Sequence, residues 1–536
     1  MNEQKNPETI PSNHLFENTK TSNLEQNNEG EIKCIHPQFN DLAMPDTFLN
    51  HISILKKKSK PTSHNLILKQ LIIQFALVDF KKRIYYQSES QKKSEDDYQK
   101  SIEKFKVTSK HYLVLTIEEV VSKAIHNNWS LCKNQEFIYL YNGAYWAYIE
   151  KESFQKFLGE AAEAMGVPKF ISRYYLFREQ QLKQFLATQY LPTPVQPKDT
   201  VNINLQNGTF EITPFGTRIR PFDHNDFITY QLPFAYDPAA KAPIFQAFLD
   251  KVLPDKECQM VLAEFLGFVF IKHKSGVLKE EKALICYGLG ANGKSVYFEV
   301  VHALLGFENV STFSLQSLTD VNGYYRAMIA NKLLNYASEI NGNLETSFFK
   351  QLVSGEPVEA RLPYGQPMQI KNYAKLMFNC NELPKDVEHT NAYFRRFLII
   401  PFNVTIPEDE QDRQLHTKII ENELSGVFNW VLDGLDRLLK QKRFSPCEAA
   451  KKTLETYKTE SDSVKLYLEE NGYKESPIDY LLIKELFYEY RNFCIDDGFK
   501  AVQRVNFTKR LKGYNIKIER KNIGNVAFLS KVEIPY

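Results

Sequence analysis

Cysteine is scarce and scattered. The seven residues, Cys34, Cys132, Cys258, Cys286, Cys380, Cys447 and Cys494, include no two at the Cys-x-x-Cys spacing that converges thiolates on a metal, which predicts a reducing cytoplasmic setting and no structural zinc. Long apolar runs are missing too: none approaches the roughly 20 residues needed to span a bilayer. The polar N-terminus lacks the apolar core of a signal peptide, so no membrane partner is expected. Net charge is nearly absent at +2, which excludes a polycation drawn as a whole to nucleic acid, so any basic surface must be local. Residues 1–45 have few large apolar side chains and are rich in Asn, Glu, Gln and Pro, which predicts a disordered tail.

What remains is ordinary for a folded chain, with 43% hydrophobic and 25% charged residues, so composition separates neither enzymes from binding modules nor one fold from another. A length of 536 residues exceeds what one core usually supports and points to about three or four units. Residues 46–110 read as a helical or linker segment: the apolar spacing of Leu66–Val78 suits a helix, and the charged stretch from Lys81 to Lys106 suits an exposed helix or a linker. Residues 111–243 alternate strand-like pieces, such as Phe137–Tyr141 before the Asn142-Gly143 turn and VNINLQ before Asn207-Gly208, with helical ones such as Lys151–Met165. That is an α+β unit. The connector Pro233–Pro243 leads into a helical segment, Ile244–Lys272, and then into a unit spanning 244–405; 406–470 reads as helical and 471–536 as a basic terminal unit.

The most informative stretch is Gly288-Leu289-Gly290-Ala291-Asn292-Gly293-Lys294-Ser295, preceded by the apolar Ala283–Tyr287 and followed by a helical Ser295–Leu305. Strand, glycine loop and helix in this order form the phosphate-loop pattern. Gly288, Gly290, Asn292 and Gly293 let backbone N–H groups curl around nucleotide phosphates; Lys294 puts a positive charge at the outer phosphates, and the Ser295 hydroxyl suits Mg²⁺. The pattern implies a nucleoside triphosphate with Mg²⁺ and no more, since kinases, GTPases and motors share it; ATP is the expected nucleotide of the reading developed below.

Three downstream segments narrow the choice. Lys332–Ala337 reads as a second strand ending at Ser338-Glu339, where Glu339 is the candidate to activate water and support the metal; a second adjacent acid is missing, Ser338 standing in its place. A third strand, Ala374–Phe378, ends at Asn379-Cys380-Asn381, and an amide there carries a donor and an acceptor for the γ-phosphate and the attacking water. Asn381 is preferred and Asn379 is the alternative. Tyr393-Phe394-Arg395-Arg396 precedes the apolar Phe397–Phe402, where an arginine reaching a neighbouring subunit's phosphate would sit; Arg396 is preferred, Arg395 the alternative.

In this order GLGANGKS, LLNYASE, MFNCNELP and YFRRFLIIPF resemble the superfamily 3 helicases, specifically the phage and plasmid primase-helicase branch that includes the poxvirus helicase-primase. Phe349–Arg361 also resembles that branch's lysine, Gly-acid and arginine pattern. The resemblance implies an α/β fold with an AAA+ phosphate-loop motor core over 244–405, working as a hexameric ring on DNA, with a hairpin before the third motif that grips DNA in the channel. It places Arg361, Tyr364 and Lys371 in or near that hairpin and Lys350 on the element leading to it; Tyr364 suits an ordinary turn equally well. Upstream, Tyr141–Trp146 and Asn204–Phe210 look like the branch's helicase-preceding domain; downstream, Leu424–Trp430 and Asp433–Leu435 look like its helical lid. No primase site is found before residue 110, so a separate primase or polymerase is the expected partner.

Over 471–536, helical Leu481–Asp497 and Val502–Leu511 followed by two strand-like pieces around Gly524 suggest a winged helix. Arg504, Lys509, Arg510, Lys512, Lys517, Arg520 and Lys521 concentrate charge there, which favours double-stranded DNA as well as single-stranded DNA as a partner. The rival readings are an ATP-switched replication initiator that binds an origin without strong unwinding, and a phosphate-loop motor or kinase of another class.

Overall fold

The computed structural model describes residues 61–88, 105–134, 136–191, 199–273, 275–338, 340, 345–363, 365–384 and 387–532. All of them fall in one compact unit, Asp46–Tyr536. The expected tail 1–45 lies outside the described residues, as do 46–60 and 89–104 of the expected helical or linker segment.

The expected helix at Leu66–Val78 occupies His64–Gln74 and ends where Phe75 turns extended. A second helix, Phe80–Ser88, covers the start of the charged stretch. After the helix Ser109–His126 comes an antiparallel sheet of β1 (Ser130–Asn134), β2 (Phe137–Tyr141) and β3 (Trp146–Ile149). Asn142 makes its turn physically: its side-chain oxygen accepts the N–H groups of Ala144 and Tyr145, both at 3.0 Å, mimicking a backbone turn. Helices Ser109–His126, Lys151–Ala164 and Tyr175–Thr188 build a core beside this sheet from Leu115, Val120, Phe154, Leu158, Phe177 and Phe185.

A second antiparallel sheet, β4 (Val201–Leu205), β5 (Gly208–Thr213) and β6 (Gly216–Arg220), turns at the expected Asn207-Gly208. Its apolar residues Ile203, Leu205 and Phe210 belong to the same core as the central sheet. The expected continuous helical segment Ile244–Lys272 is two helices, Pro243–Val252 and Lys256–Phe268. Pro254 removes a backbone donor at the break. Asp255 caps the second helix, its carboxylate accepting the Glu257 N–H at 2.9 Å.

The central sheet has β7 (Ala283–Tyr287), β8 (Val310–Ser311), β9 (Leu334–Ala337), β12 (Lys375–Cys380) and β13 (Phe397–Pro401) in the order β13-β7-β12-β9-β8, with every pairing parallel. Each strand reads as a nearly continuous apolar run because both faces are covered. Leu284 and Cys286 of β7 face a core shared with the helices Pro243–Val252, Lys256–Phe268 and Lys294–Leu305, whereas Ala283 and Ile285 face a second core with Phe349, Leu352 and Tyr393. Between β9 and β12 the chain forms the helix Thr346–Ser354 and a hairpin of β10 (Val358–Arg361) and β11 (Pro367–Ile370).

The helix Leu424–Gln441 lies on Lys256–Phe268 at close range. A Cβ on Gly434 would stand 2.4 Å from the Ala263 carbonyl carbon, and one on Gly267 2.7 Å from Leu435 Cβ, so glycine on each side permits the contact. Across it Glu264, fully buried, accepts from Arg437 Nε at 2.7 Å, Ser445 N at 2.8 Å and Ser445 Oγ at 2.6 Å, which compensates its charge.

The terminal unit packs Val464, Tyr467, Leu486, Tyr490, Phe507 and Leu511 into its own core. Its helices are Ile483–Asp496 and Arg504–Gly513; β16 (Ile518–Lys521) and β17 (Gly524–Ala527) form the expected strand pair at Gly524, joined by β15 (Leu481–Leu482). Beside them β14 (Tyr473–Glu475) pairs with β18 (Leu529–Lys531).

Candidate active site

The loop 288–293 leaves the C-terminal end of β7 and enters the helix Lys294–Leu305. Gly293 sits at φ +83°, and a Cβ on it would come 2.7 Å from Val252 Cγ1 and 2.9 Å from Phe248 Cε2, so glycine is needed for both conformation and space. At Gly288 a Cβ would stand 2.3 Å from the Phe402 carbonyl oxygen. The end of β12 and the segment after β13 brace the loop and its root from the side: Gly288 N–H donates to Cys380 O at 3.2 Å, Phe402 N–H to Tyr287 O at 2.7 Å and Ile406 N–H to Ala291 O at 2.7 Å. Asn292 Nδ2 donates to Phe402 O at 3.0 Å.

Lys294 is 7% exposed, and its ammonium donates to Gly288 O and, at 3.1 Å, to Asn292 Oδ1. Burial pushes its pKa down, while the nearby Cys286 and Cys380 oppose the shift. Ser295, the second residue of the helix, is exposed, as are Leu289, Gly290 and Ala291. The result is a braced loop with a cation inside it, leading into a helix N-terminus whose first backbone N–H groups lack partners within the helix, a general anion-binding arrangement. An exposed hydroxyl beside that loop is a hard oxygen donor of the kind Mg²⁺ accepts.

Parallel pairing sets the other residues against this loop. Asn379 lies opposite Cys286 in register and is buried, its Oδ1 accepting from Tyr336 Oη at 2.8 Å. Asn381, just past the end of β12, is exposed. Ser338 follows β9 at the same C-terminal edge of the sheet; Glu339 lies outside the described residues. Of the two amides, Asn381 is therefore the one open to solvent.

The arginines are elsewhere. Phe397 pairs with Ala283 at the start of both strands, and Ala283 N–H donates to Arg396 O at 2.8 Å, so Arg395 and Arg396 stand at the N-terminal edge, the far end of β7 from its loop. A five-residue strand separates the two edges by about 16 Å. The preference for Arg396 as an outward-reaching arginine meets a physical obstacle: it is 7% exposed and engages Ala392 O, Ser354 Oγ at 2.9 Å and Glu281 at 3.3 Å. Arg395 has 57% of its side chain exposed and touches Glu281 at 3.1 Å.

The segment expected to hold the hairpin does fold as β10–β11. Arg361 ends β10 exposed, with Nε on Gly365 O at 3.0 Å; Lys371 follows β11, also exposed; Tyr364 lies outside the described residues. Lys350 is on the helix Thr346–Ser354 and pairs with Glu388 at 2.6 Å. Sequence reasoning missed Arg326, which is 1% exposed, donates to Glu359 O at 2.7 Å and Leu318 O at 3.1 Å, and lies 3.8 Å from the centre of the Phe348 ring, tying β10 to the core. Leu362 and Met368, beside the hairpin turn, pack on Phe137, Tyr139 and Trp146 of the β1–β3 sheet.

In the terminal unit Arg504, Lys509, Lys512 and Arg520 are exposed, and Lys517 pairs with Glu519 at 2.7 Å. Two of these cations contact other side chains of the unit. Arg510 donates to the buried Asp462 at 3.1 Å, and Lys521 lies 3.7 Å over the Tyr480 ring. The spacing argument against paired cysteines also misses a contact through space: Cys258 and Cys447 have their sulfurs 3.5 Å apart across 189 positions, with Asp255 nearby.

Residues 118–254 match a family model described as D5 N terminal like, and residues 286–396 match a family of unknown function, DUF5906. A protein of Acanthamoeba polyphaga mimivirus named "Putative helicase L207/L206" is 28% identical over 163 residues, 29% of this chain and 16% of that protein, so the match spans about a sixth of the curated relative's length. Among solved structures, two apo structures of the NrS-1 C-terminal region cover 78% of this chain and 99% of theirs, at 16% and 15% identity with TM-scores of 0.43 and 0.42. Among the described residues, no helix is long and apolar enough to cross a membrane.

Proposed function

We propose that this chain is an ATP-driven DNA helicase of the phage-type primase-helicase kind, acting in replication as a ring. The observation that carries the reading is the braced loop 288–293 with Lys294 held inside it, at the C-terminal edge of an all-parallel sheet of order β13-β7-β12-β9-β8. The D5-like segment upstream and the resemblance to a helicase-named viral protein support it. In domain terms, 111–243 is the helicase-preceding unit, 244–405 an AAA+ motor, 406–470 its lid and 471–536 a winged helix.

In this reading Gly288, Gly290, Asn292, Gly293 and Lys294 bind the phosphates of ATP, the substrate. Ser295 and Glu339 would hold Mg²⁺, which would neutralise phosphate charge. Glu339 takes a proton from the attacking water, whose oxygen bonds to the γ-phosphorus as the bond to the bridging oxygen breaks, releasing ADP and phosphate. Asn381 hydrogen-bonds the γ-phosphate, and Arg395 of one subunit serves the site of the next. Arg361, Tyr364 and Lys371 contact DNA at the hairpin, with Lys350 bracing the element before it. Arg504, Lys509, Lys512 and Arg520 contact duplex phosphates, with Arg510, Lys517 and Lys521 fixing that surface.

The exposed cations of the helix Arg504–Gly513 favour one rival, an ATP-switched initiator. The test is ATP hydrolysis with and without single-stranded DNA, run beside strand separation on a forked duplex. DNA-stimulated hydrolysis with strand separation supports the helicase. Hydrolysis without separation moves the reading to the initiator, and no hydrolysis at all sinks the site.

A further inference from the structure

The α+β unit carries an exposed aromatic and cationic ridge that the motor does not use. Phe170 is 95% exposed, Tyr174 51% and Tyr175 66%. They lie where the short helix Lys169–Ser172 meets the helix Tyr175–Thr188, and the two tyrosine rings pack edge to face with centroids 5.1 Å apart. Leaving such rings open to water gains nothing for the fold, and clustered exposed aromatics mark a contact surface. From Lys169 to Arg178 the chain has three cations and no carboxylate.

The backbone under this ridge is fixed. Arg178 lies against the helix Lys151–Ala164 at Gly159, where a Cβ would meet its Nε at 2.5 Å, and donates to Ser172 O at 3.1 Å, tying the two helices together. Arg173 makes a two-pronged pair with Glu163 at 2.8 and 2.9 Å. That pair cancels much of its charge yet holds its planar guanidinium in place beside the rings. Next to them Glu152, Gln155, Lys156, Arg173, Tyr175 and Arg178 line a shallow recess of 240 Å³, one carboxylate among three cations.

We infer that Phe170, Tyr174 and Tyr175, with Lys169, Arg173 and Arg178, form a stacking platform for single-stranded DNA, separate from the hairpin and from the terminal unit. The chemistry selects this occupant. Every base has a π-face that stacks on an exposed ring without regard to sequence, and neighbouring cations neutralise the phosphates between stacked bases. A duplex hides its base faces and gives exposed rings nothing to stack on. The inference rests on the reading of the chain as a DNA motor only for the choice of DNA over RNA.

The test uses the full chain without nucleotide and a fluorescein-labelled oligothymidylate, read by anisotropy. Stacking contributes about 1–3 kcal/mol per base, so Phe170→Ala with Tyr175→Ala is expected to weaken binding by about tenfold or more. Tyr175→Phe, which keeps the ring, should bind as wild type, and Lys169→Gln should lower the salt dependence by about 0.7 in the log–log slope. Basal hydrolysis should be unchanged in each variant. Lys294→Ala should still bind the oligonucleotide, so loss of the motor and loss of the platform are read separately. Unchanged affinity in the double variant overturns the proposal. So does an altered sedimentation coefficient with unchanged affinity, which would make the ridge a contact between copies, and so does tighter binding of oligouridylate than of oligothymidylate.

Discussion

An ammonium buried to 7% exposure is costly unless strong partners surround it, and Lys294 has two loop oxygens that hold its charge where an anion would replace them. Removing it takes away charge and loop geometry together. Lys294→Ala is therefore expected to lose at least about a hundredfold in ATP turnover, measured by phosphate release, while the thermal midpoint stays close to wild type. Turnover within a few-fold of wild type would refute the site. Lys375 presents the opposite case. It is 6% exposed at the start of β12, near His273 Nδ1 at 3.0 Å and over the Phe268 ring, and burial pulls its pKa down to about 7. Below pH 7 both the folded and unfolded chains carry the proton, so the full penalty applies. Between about 7 and the usual 10.5 only the unfolded chain does, so its contribution to stability rises with pH and levels off above. Denaturant titrations from pH 6 to 10 should show a steeper rise for wild type than for Lys375→Met, and identical slopes would show that the amine is solvated. The loop was legible in sequence because eight adjacent residues carry it. Arg326, Lys375 and the Cys258–Cys447 contact were not, since each draws its meaning from partners far along the chain.

Elements were legible where one local rule decided them. Ala283–Tyr287, Phe137–Tyr141 and the Gly524 strand pair follow from apolar runs and turn residues, and both Asn-Gly turns fall where expected. The β14–β18 pair escaped because its three-residue strands lie more than fifty positions apart and show no local period. The cap of Pro243–Val252 escaped for the same reason. Glu423, 5% exposed, accepts the N–H groups of Ile244 and Phe245 at 2.9 and 2.8 Å from 179 and 178 positions away. Glu423→Ala should cost about 2 kcal/mol in urea unfolding through loss of these charge-assisted bonds. Gly434→Val should cost roughly 3 kcal/mol, because the obstruction at 2.4 Å is backbone that cannot rotate away. A variant as stable as wild type would mean that the two helices separate freely.

At the scale of the whole molecule, the position of the arginines bears on the proposed ring. Arg395 stands at the N-terminal edge of the sheet and the loop 288–293 at the C-terminal edge, with the five-residue β7 between them. No side chain spans that distance along a rigid strand, so in the proposed mechanism an arginine acting on phosphate would serve a neighbour's site. A head-to-tail interface of this kind repeats around a ring. Two separately inactive variants should then rescue each other: an Arg395→Ala subunit has an intact loop, and a Lys294→Ala neighbour still supplies Arg395. Mixed in equal amounts before assembly, they should regain about a quarter of wild-type turnover if sites fire independently, since half the subunits own a loop and half of their neighbours donate. If sites fire in concert, rescue fails, but adding Arg395→Ala to wild type then depresses turnover more steeply than dilution. Absence of rescue combined with a strictly proportional decline would leave the loop as a nucleotide site within a single chain and remove the ring from the mechanism.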